Sequence, residues 1–225
     1  MKSMTSTLRV LARLLGYPDA SVRTHLDEMR DALHREDALT VGRLGELDAL
    51  IARLRDAPAR DSEAAYVETY DSGRGTALHL FEHVHGESRD RGPAMVDLVK
   101  TYEQAGLFLA PGELPDHLGV VLEYASTQPP DSAREFLSEI AHILQVIFSA
   151  LLRRQSPYAS IVAAVLELAG ERAEAVKLPD ELPLDETWQE PPAFAGCSTA
   201  GQARPGQPQS VHVVKGPTPR NGVRA

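Results

Sequence analysis

The sequence predicts an all-α fold, a single-domain helical bundle over residues 1–178, followed by a Pro-rich, largely disordered tail over residues 179–225. Two observations predict the bundle. Apolar residues recur at i, i+3, i+4 and i+7 in segment after segment, and no stretch alternates as a half-buried strand would. Aromatic residues make up only 5% of the chain while Leu and Ala recur throughout, a composition suited to helix packing rather than to a sheet. The tail rests on a third observation: eight of the 16 prolines fall beyond residue 178, where apolar residues are too sparse to form a core.

The first helix is carried by Leu8, Leu11, Ala12 and Leu15, and Gly16 with Pro18 stops it. Asp19 or Ser21 caps a second, with Val22, Leu26, Met29 and Leu33 on one face. A third starts near Thr40, buries Leu44, Leu47, Leu50, Ile51 and Leu54, and ends at Pro58. All three read as surface helices of the bundle. A fourth pattern from Asp61 groups Tyr66, Val67 and Tyr70 until the Asp71-Ser-Gly-Arg-Gly75 turn.

After residues 78–92, Gly92-Pro93 opens a helix predicted to bury Met95, Val96, Leu98, Val99 and Tyr102. Following the 107–112 loop, Pro115 and Asp116 suit the first turn of a helix with Leu118, Val121, Leu122 and Ala125 inside. Ser132 and Glu135 form a capping-box pattern for a long central helix running from Phe136 to Leu151. Pro157 opens the last, with Ile161, Val162, Val165, Leu166 and Leu168 buried and Gly170 near its end.

With 23 basic and 32 acidic side chains the formal charge is −9, which disfavours nucleic acid and anionic membrane and favours a basic partner. A lone cysteine, Cys197, builds neither an internal disulfide nor a thiolate metal site, so a reducing cytoplasm fits best. No apolar run approaches the roughly 20 residues that span a bilayer, so no direct membrane insertion is expected. In the tail, acids from Asp180 to Glu190 precede bases from Arg204 to Arg224, with Trp188 and Phe194 between them. Such aromatics mark either a linear binding motif or a patch that docks back on the domain.

The densest chemistry lies in Leu78-His-Leu-Phe-Glu-His-Val-His-Gly-Glu-Ser-Arg-Asp-Arg-Gly92. Four-residue spacing would stack His79 and His83 on one helix face, a metal-binding geometry, and a metal-binding helical enzyme is the alternative reading. His85 falls about 240° around the axis from His79, on another face unless the helix ends first, an ending that Gly86 allows. The acids Glu82, Glu87 and Asp90 offer groups for proton transfer, yet no activated nucleophile or nucleotide loop accompanies them. The favoured reading is therefore a recognition surface anchored by Leu78, Phe81 and Val84, with no catalytic residue, metal or cofactor.

This stretch, with Tyr66-Val-Glu-Thr-Tyr-Asp71 before it and Met95-Val-Asp-Leu98 after it, resembles the signature region of the NarJ-type nitrate reductase assembly chaperones. Glu113-Leu-Pro-Asp-His117 is similar to a motif of the wider TorD/DmsD redox enzyme maturation superfamily, with the proline shifted by one place. Leu14-Leu-Gly-Tyr-Pro-Asp19 resembles the family's first helix and turn. The resemblance implies an all-helical, non-enzymatic chaperone of the cytoplasm. Its partner would be the apo catalytic (alpha) subunit of respiratory nitrate reductase, including that subunit's N-terminal segment. Binding would permit molybdenum cofactor insertion before membrane attachment. On this reading Tyr70, His79, Phe81, Glu82, His83, His85 and Glu87 border the peptide groove, with Asp116 and His117 at a hinge or second contact.

Overall fold

The computed structural model of the chain describes residues 2–71, 73–86 and 88–178. Glu87 and the tail, with Trp188, Phe194, Cys197 and the disorder expected there, lie outside the described residues. Within them stand eleven α-helices and no strand. They are α1 (Thr5–Leu14), α2 (Ala20–Thr24), α3 (Leu26–Glu36), α4 (Val41–Asp56), α5 (Ala59–Asp71), α6 (Leu80–Val84), α7 (Arg91–Gln104), α8 (Leu118–Thr127), α9 (Pro130–Glu139), α10 (Ala141–Arg153) and α11 (Ala159–Ala169). A 3-10 turn, Arg74–Thr76, precedes α6.

The predicted apolar faces of α1, α4, α8 and α11 are the buried ones. α1 is nonetheless an inner helix and not a surface one, because it packs on α3, α8 and α11 at once and buries Thr7, Leu8, Leu11 and Leu14. Its N-terminus is closed from outside itself: the Glu36 carboxylate, at the end of α3, accepts the N–H groups of Ser6 and Thr7 and the Ser3 hydroxyl. Burial pushes the Glu36 pKa upward, but these donors outweigh it and hold the group below its ordinary value. At the centre α11 buries every residue from Ile161 to Leu166, packed against α9, α10 and α4. Gly170 ends it at φ 87°.

Two predicted helices are broken. The second divides at His25 (φ −103°, ψ 8°) into α2, capped by Asp19 onto the Val22 N–H, and α3. The long helix divides at Ile140 (φ −94°, ψ 2°) into α9 and α10, which bend by 66°. α9 begins at Pro130, ahead of the Ser132 capping box, with proline at the position where its missing N–H costs nothing. Neither break carries a Gly or Pro. Among the described residues no single helix is long and apolar enough to cross a membrane.

Candidate functional site

The site is assembled from two segments far apart in sequence. Residues 78–80 run antiparallel to residues 116–118: the Leu80 N–H donates to the Asp116 carbonyl (3.0 Å) and the Leu118 N–H to the Leu78 carbonyl (2.8 Å), bracketing a bridge between His79 and His117. Extended backbone sends alternate side chains to opposite sides. Leu78 and Leu80 therefore go into the core, while His79 turns to the surface with its ring 5.2 Å from that of His117.

Asp116 lies beneath the two rings, fully buried. Its carboxylate accepts the Phe81 N–H (3.2 Å), meets His79 Nδ1 at 3.3 Å and stands 3.6 Å from Arg91 Nη2, which also reaches Glu82 at 3.6 Å. Burial alone would raise the Asp116 pKa, but the bonds from His79 and Phe81 and the two cations hold it below the carboxylate norm. The same bond to Asp116 raises His79 against the opposing effect of burial. His117 moves the other way, lowered by its own burial and then by the charge on His79. A neutral imidazole is what its position requires, since Nδ1 accepts the Gly119 N–H (3.1 Å) as the cap of α8 and can do so only unprotonated. A Cβ at position 119 would fall 3.1 Å from that nitrogen, so glycine lets the imidazole close over the helix end.

The predicted site residues divide accordingly. His79, Asp116 and His117 form one cluster, and Asp116 is its buried anchor, with partners that come from 25 to 37 residues away. Pro115 and Asp116 precede α8, and Asp116 opens the paired segment. Phe81 and Glu82 on the single turn of α6, and His85 just after it, are half-exposed, with the Phe81 ring 5.5 Å from that of His85. The anchors are Leu78 and Leu80; Phe81 is only half-buried and Val84 is 51% exposed. His83 does not share a helical face with His79, which lies outside α6; its Nε2 instead contacts the Ala77 carbonyl at 2.9 Å. The two rings thus serve different partners. Tyr70 is buried against Tyr66 (4.8 Å) and Tyr158 (5.4 Å), its hydroxyl without a hydrogen-bond partner among the described residues, while Val67 of the same pattern is exposed.

Beyond His117 the surface opens into a feature that periodicity did not indicate. A recess of about 370 Å³, lined by His79, His117, Glu113 and Val120, shares Glu113 and Val120 with a groove of about 520 Å³. Val10, Met29, Tyr102, Leu107, Phe108 and Tyr124 give that groove an apolar lining, and Arg9, Arg13, Glu113 and Glu123 stand at it as charges. Arg9 is placed by the Ser126 hydroxyl (3.3 Å), and Tyr102 by a bond from its hydroxyl to the Pro115 carbonyl (2.8 Å) and by the Tyr124 ring at 4.8 Å. Phe108 is 81% exposed. Three large apolar residues in a row at 107–109, within a loop, were the available signal. α7 buries only Tyr102; Met95, Leu98 and Val99 are half-exposed and Val96 exposed, contrary to the predicted buried face.

Residues 18–164 match the family described as the nitrate reductase delta subunit. NarJ of Escherichia coli K12, a nitrate reductase molybdenum cofactor assembly chaperone, is 40% identical over 193 residues, covering 81% of this chain and 82% of that protein. NarW of the same strain, named as a probable chaperone of the same assembly, is 44% identical over 163 residues, 72% of this chain and 68% of its own. A solved Archaeoglobus fulgidus structure titled as a redox enzyme maturation protein has the same fold at a TM-score of 0.53 and 18% identity, covering 76% of this chain and 96% of that one. The match runs from the turn after α1 into α11 and takes in both halves of the Asp116 cluster, and on it this chain belongs to the nitrate reductase delta subunit family.

Proposed function

We propose that this protein is a non-catalytic assembly chaperone of the cytoplasm that holds the apo alpha subunit of a respiratory nitrate reductase, engages its N-terminal segment, and keeps it open to molybdenum cofactor insertion before membrane attachment. The observation that carries the reading is the 40% identity to an E. coli protein named for that assembly role, over 82% of its length. The surface described above suits such a client. A segment with an apolar face lies in the groove between α1, α8 and the 107–109 loop, and its polar end reaches the recess at His79 and His117. Glu82 and His85 border that approach from α6, and a basic client is drawn by the net charge of −9. Asp116 and Tyr70 act from beneath, by fixing the positions of α6 and the aromatic patch.

A pulldown from nitrate-respiring cells tests the reading. The expected catch is the large catalytic subunit in its cofactor-free form. Recovery of only the cofactor-loaded subunit, or none of it, would overturn the proposal. Elemental analysis of the purified chain separates this reading from a metal-dependent enzyme, which would retain stoichiometric zinc or iron.

A further inference from the structure

After α11 the chain turns back at Gly170 and runs as a strap across α10. Gln145 uses both arms of its amide on this strap: Nε2 donates to the Arg172 carbonyl and Oε1 accepts the Glu174 N–H (3.1 Å). One turn on, the Ser149 hydroxyl accepts the Val176 N–H (2.8 Å) while donating to the Gln145 carbonyl of its own helix (2.7 Å). The spacings match. Residues four apart on a helix advance by about 6 Å, and residues two apart on an extended chain by about 6.6 Å. Gln145 and Ser149 therefore meet every second residue of an extended backbone.

The side chains of the strap contribute little to this contact. Arg172, Glu174, Ala175 and Val176 are not buried, and only Ala173 is tucked against the core. What Gln145 and Ser149 hold is peptide backbone. Leu152, on the same side of α10 one turn further, is 44% exposed and extends the track with an apolar step.

We propose that the Gln145–Ser149 face of α10 is a binding track for extended polypeptide, filled in the free protein by its own residues 172–176 and yielded to an extended segment of the unassembled client. The inference rests on the chaperone reading for the identity of the client, but not for the track itself. A chaperone that holds an unfinished subunit by its N-terminal segment gains in this way a second handhold, made to backbone. The strap keeps that handhold covered until a competitor arrives.

The test has two arms, both on the full-length chain. In the first, the probe is a fluorescent peptide with the sequence of residues 171–178. The tethered strap competes at an effective concentration on the order of 1 mM, so the unaltered protein binds the probe only weakly. The double variant Glu174→Pro, Val176→Pro lacks the two strap N–H donors and is expected to bind the probe at least about tenfold more tightly. Adding Gln145→Ala and Ser149→Ala is expected to abolish the gain. Equal probe affinity with and without the prolines, or a gain that survives loss of Gln145 and Ser149, overturns the track.

The second arm follows amide hydrogen exchange at Glu174 and Val176. Both amides are expected to be protected in the free protein and to lose protection when it is saturated with apo catalytic subunit. Protection that persists in a formed complex overturns the displacement. Failure of the complex to form at all instead overturns the chaperone reading, and the peptide arm still decides the track.

Discussion

Replacing Asp116 by alanine removes in one step the acceptor of the Phe81 N–H and the carboxylate that pairs with His79 and Arg91. An orphaned buried N–H costs about 1–3 kcal/mol. Removing one member of a buried ion pair costs about 3–5 kcal/mol when the survivor stays dry. Here the survivors do not, since the His79 and Arg91 side chains keep 31% and 28% of their exposure and water can solvate them. The expected loss is therefore about 2–4 kcal/mol, a fall in Tm on the order of 10 °C for a domain of this size. Asp116→Asn keeps an oxygen for Phe81 and loses only the charge, so about half that loss is expected.

Urea unfolding followed by circular dichroism measures both. The pH dependence sharpens the test. His79 is raised in the fold, so its contribution is complete below its unfolded value of 6.5 and disappears as pH rises through the folded one. Asp116 is lowered, so its contribution is present above 3.8 and disappears as pH falls through its folded value. The gap between the native protein and the alanine variant should be widest between those limits and narrow on either side, with Arg91 and Phe81 sustaining a remainder at high pH. A loss below about 0.5 kcal/mol, or one that fails to narrow on either side of this window, would refute the account of Asp116 as the charged anchor of the site.

Further expectations concern the elements around it. Leu80→Ala should destabilise by about 2–4 kcal/mol, whereas Val84→Ala should stay within about 0.5 kcal/mol; reversal of that order in denaturant unfolding would contradict the placement of α6. Phe108→Ala should leave Tm unchanged yet weaken calorimetric binding of the client N-terminal peptide by about tenfold or more, and undiminished affinity would remove the groove from the interface. Joint substitution of Glu82 and His85 by alanine should cost less than this, because both stand at the approach to the groove and not within it. Glu36→Ala should cost about 1–2 kcal/mol at neutral pH through the uncapped α1. Because Glu36 is lowered in the fold, that difference should be present above its unfolded value of 4.5 and fade as pH falls through the folded one, as acid titration of the unfolding midpoint will record.

What could be read from the sequence was whatever depends on near neighbours along the chain. The faces of α1, α4, α8 and α11 follow from the spacing of their leucines, and Pro58, Pro130 and Gly170 mark helix ends by local stereochemistry. The breaks at His25 and Ile140 carry neither Gly nor Pro, and no such local signal announces them. Periodicity misled at residues 78–84, where most of the buried segment is extended and alternates by two, so that Leu80 went inside in place of Phe81 and Val84. It misled again in α7, whose apolar spacing is regular but whose only fully buried residue is Tyr102. Asp116 read as a first-turn residue of a helix because the groups that compensate its burial, at His79, Phe81 and Arg91, lie 25 to 37 residues earlier in the chain. Tyr70 likewise lies deeper than a groove-lining residue would, held in by aromatic partners that spacing alone does not bring together. The groove at Phe108 is built by a loop and four helices, and no periodic pattern marks such a place.

The pairing of residues 78–80 with 116–118 bears on how such proteins can be re-engineered. A five-residue helix has no stability of its own, and α6 holds its shape because Asp116 and Leu118 grip its entry. Transplanting residues 78–92 into a relative, to redirect it toward another reductase, would carry the letters of the surface without the clamp that orients them. A chimera that keeps its shape has to exchange residues 113–119 in the same move. The smallest portable unit of this chaperone is a pair of segments.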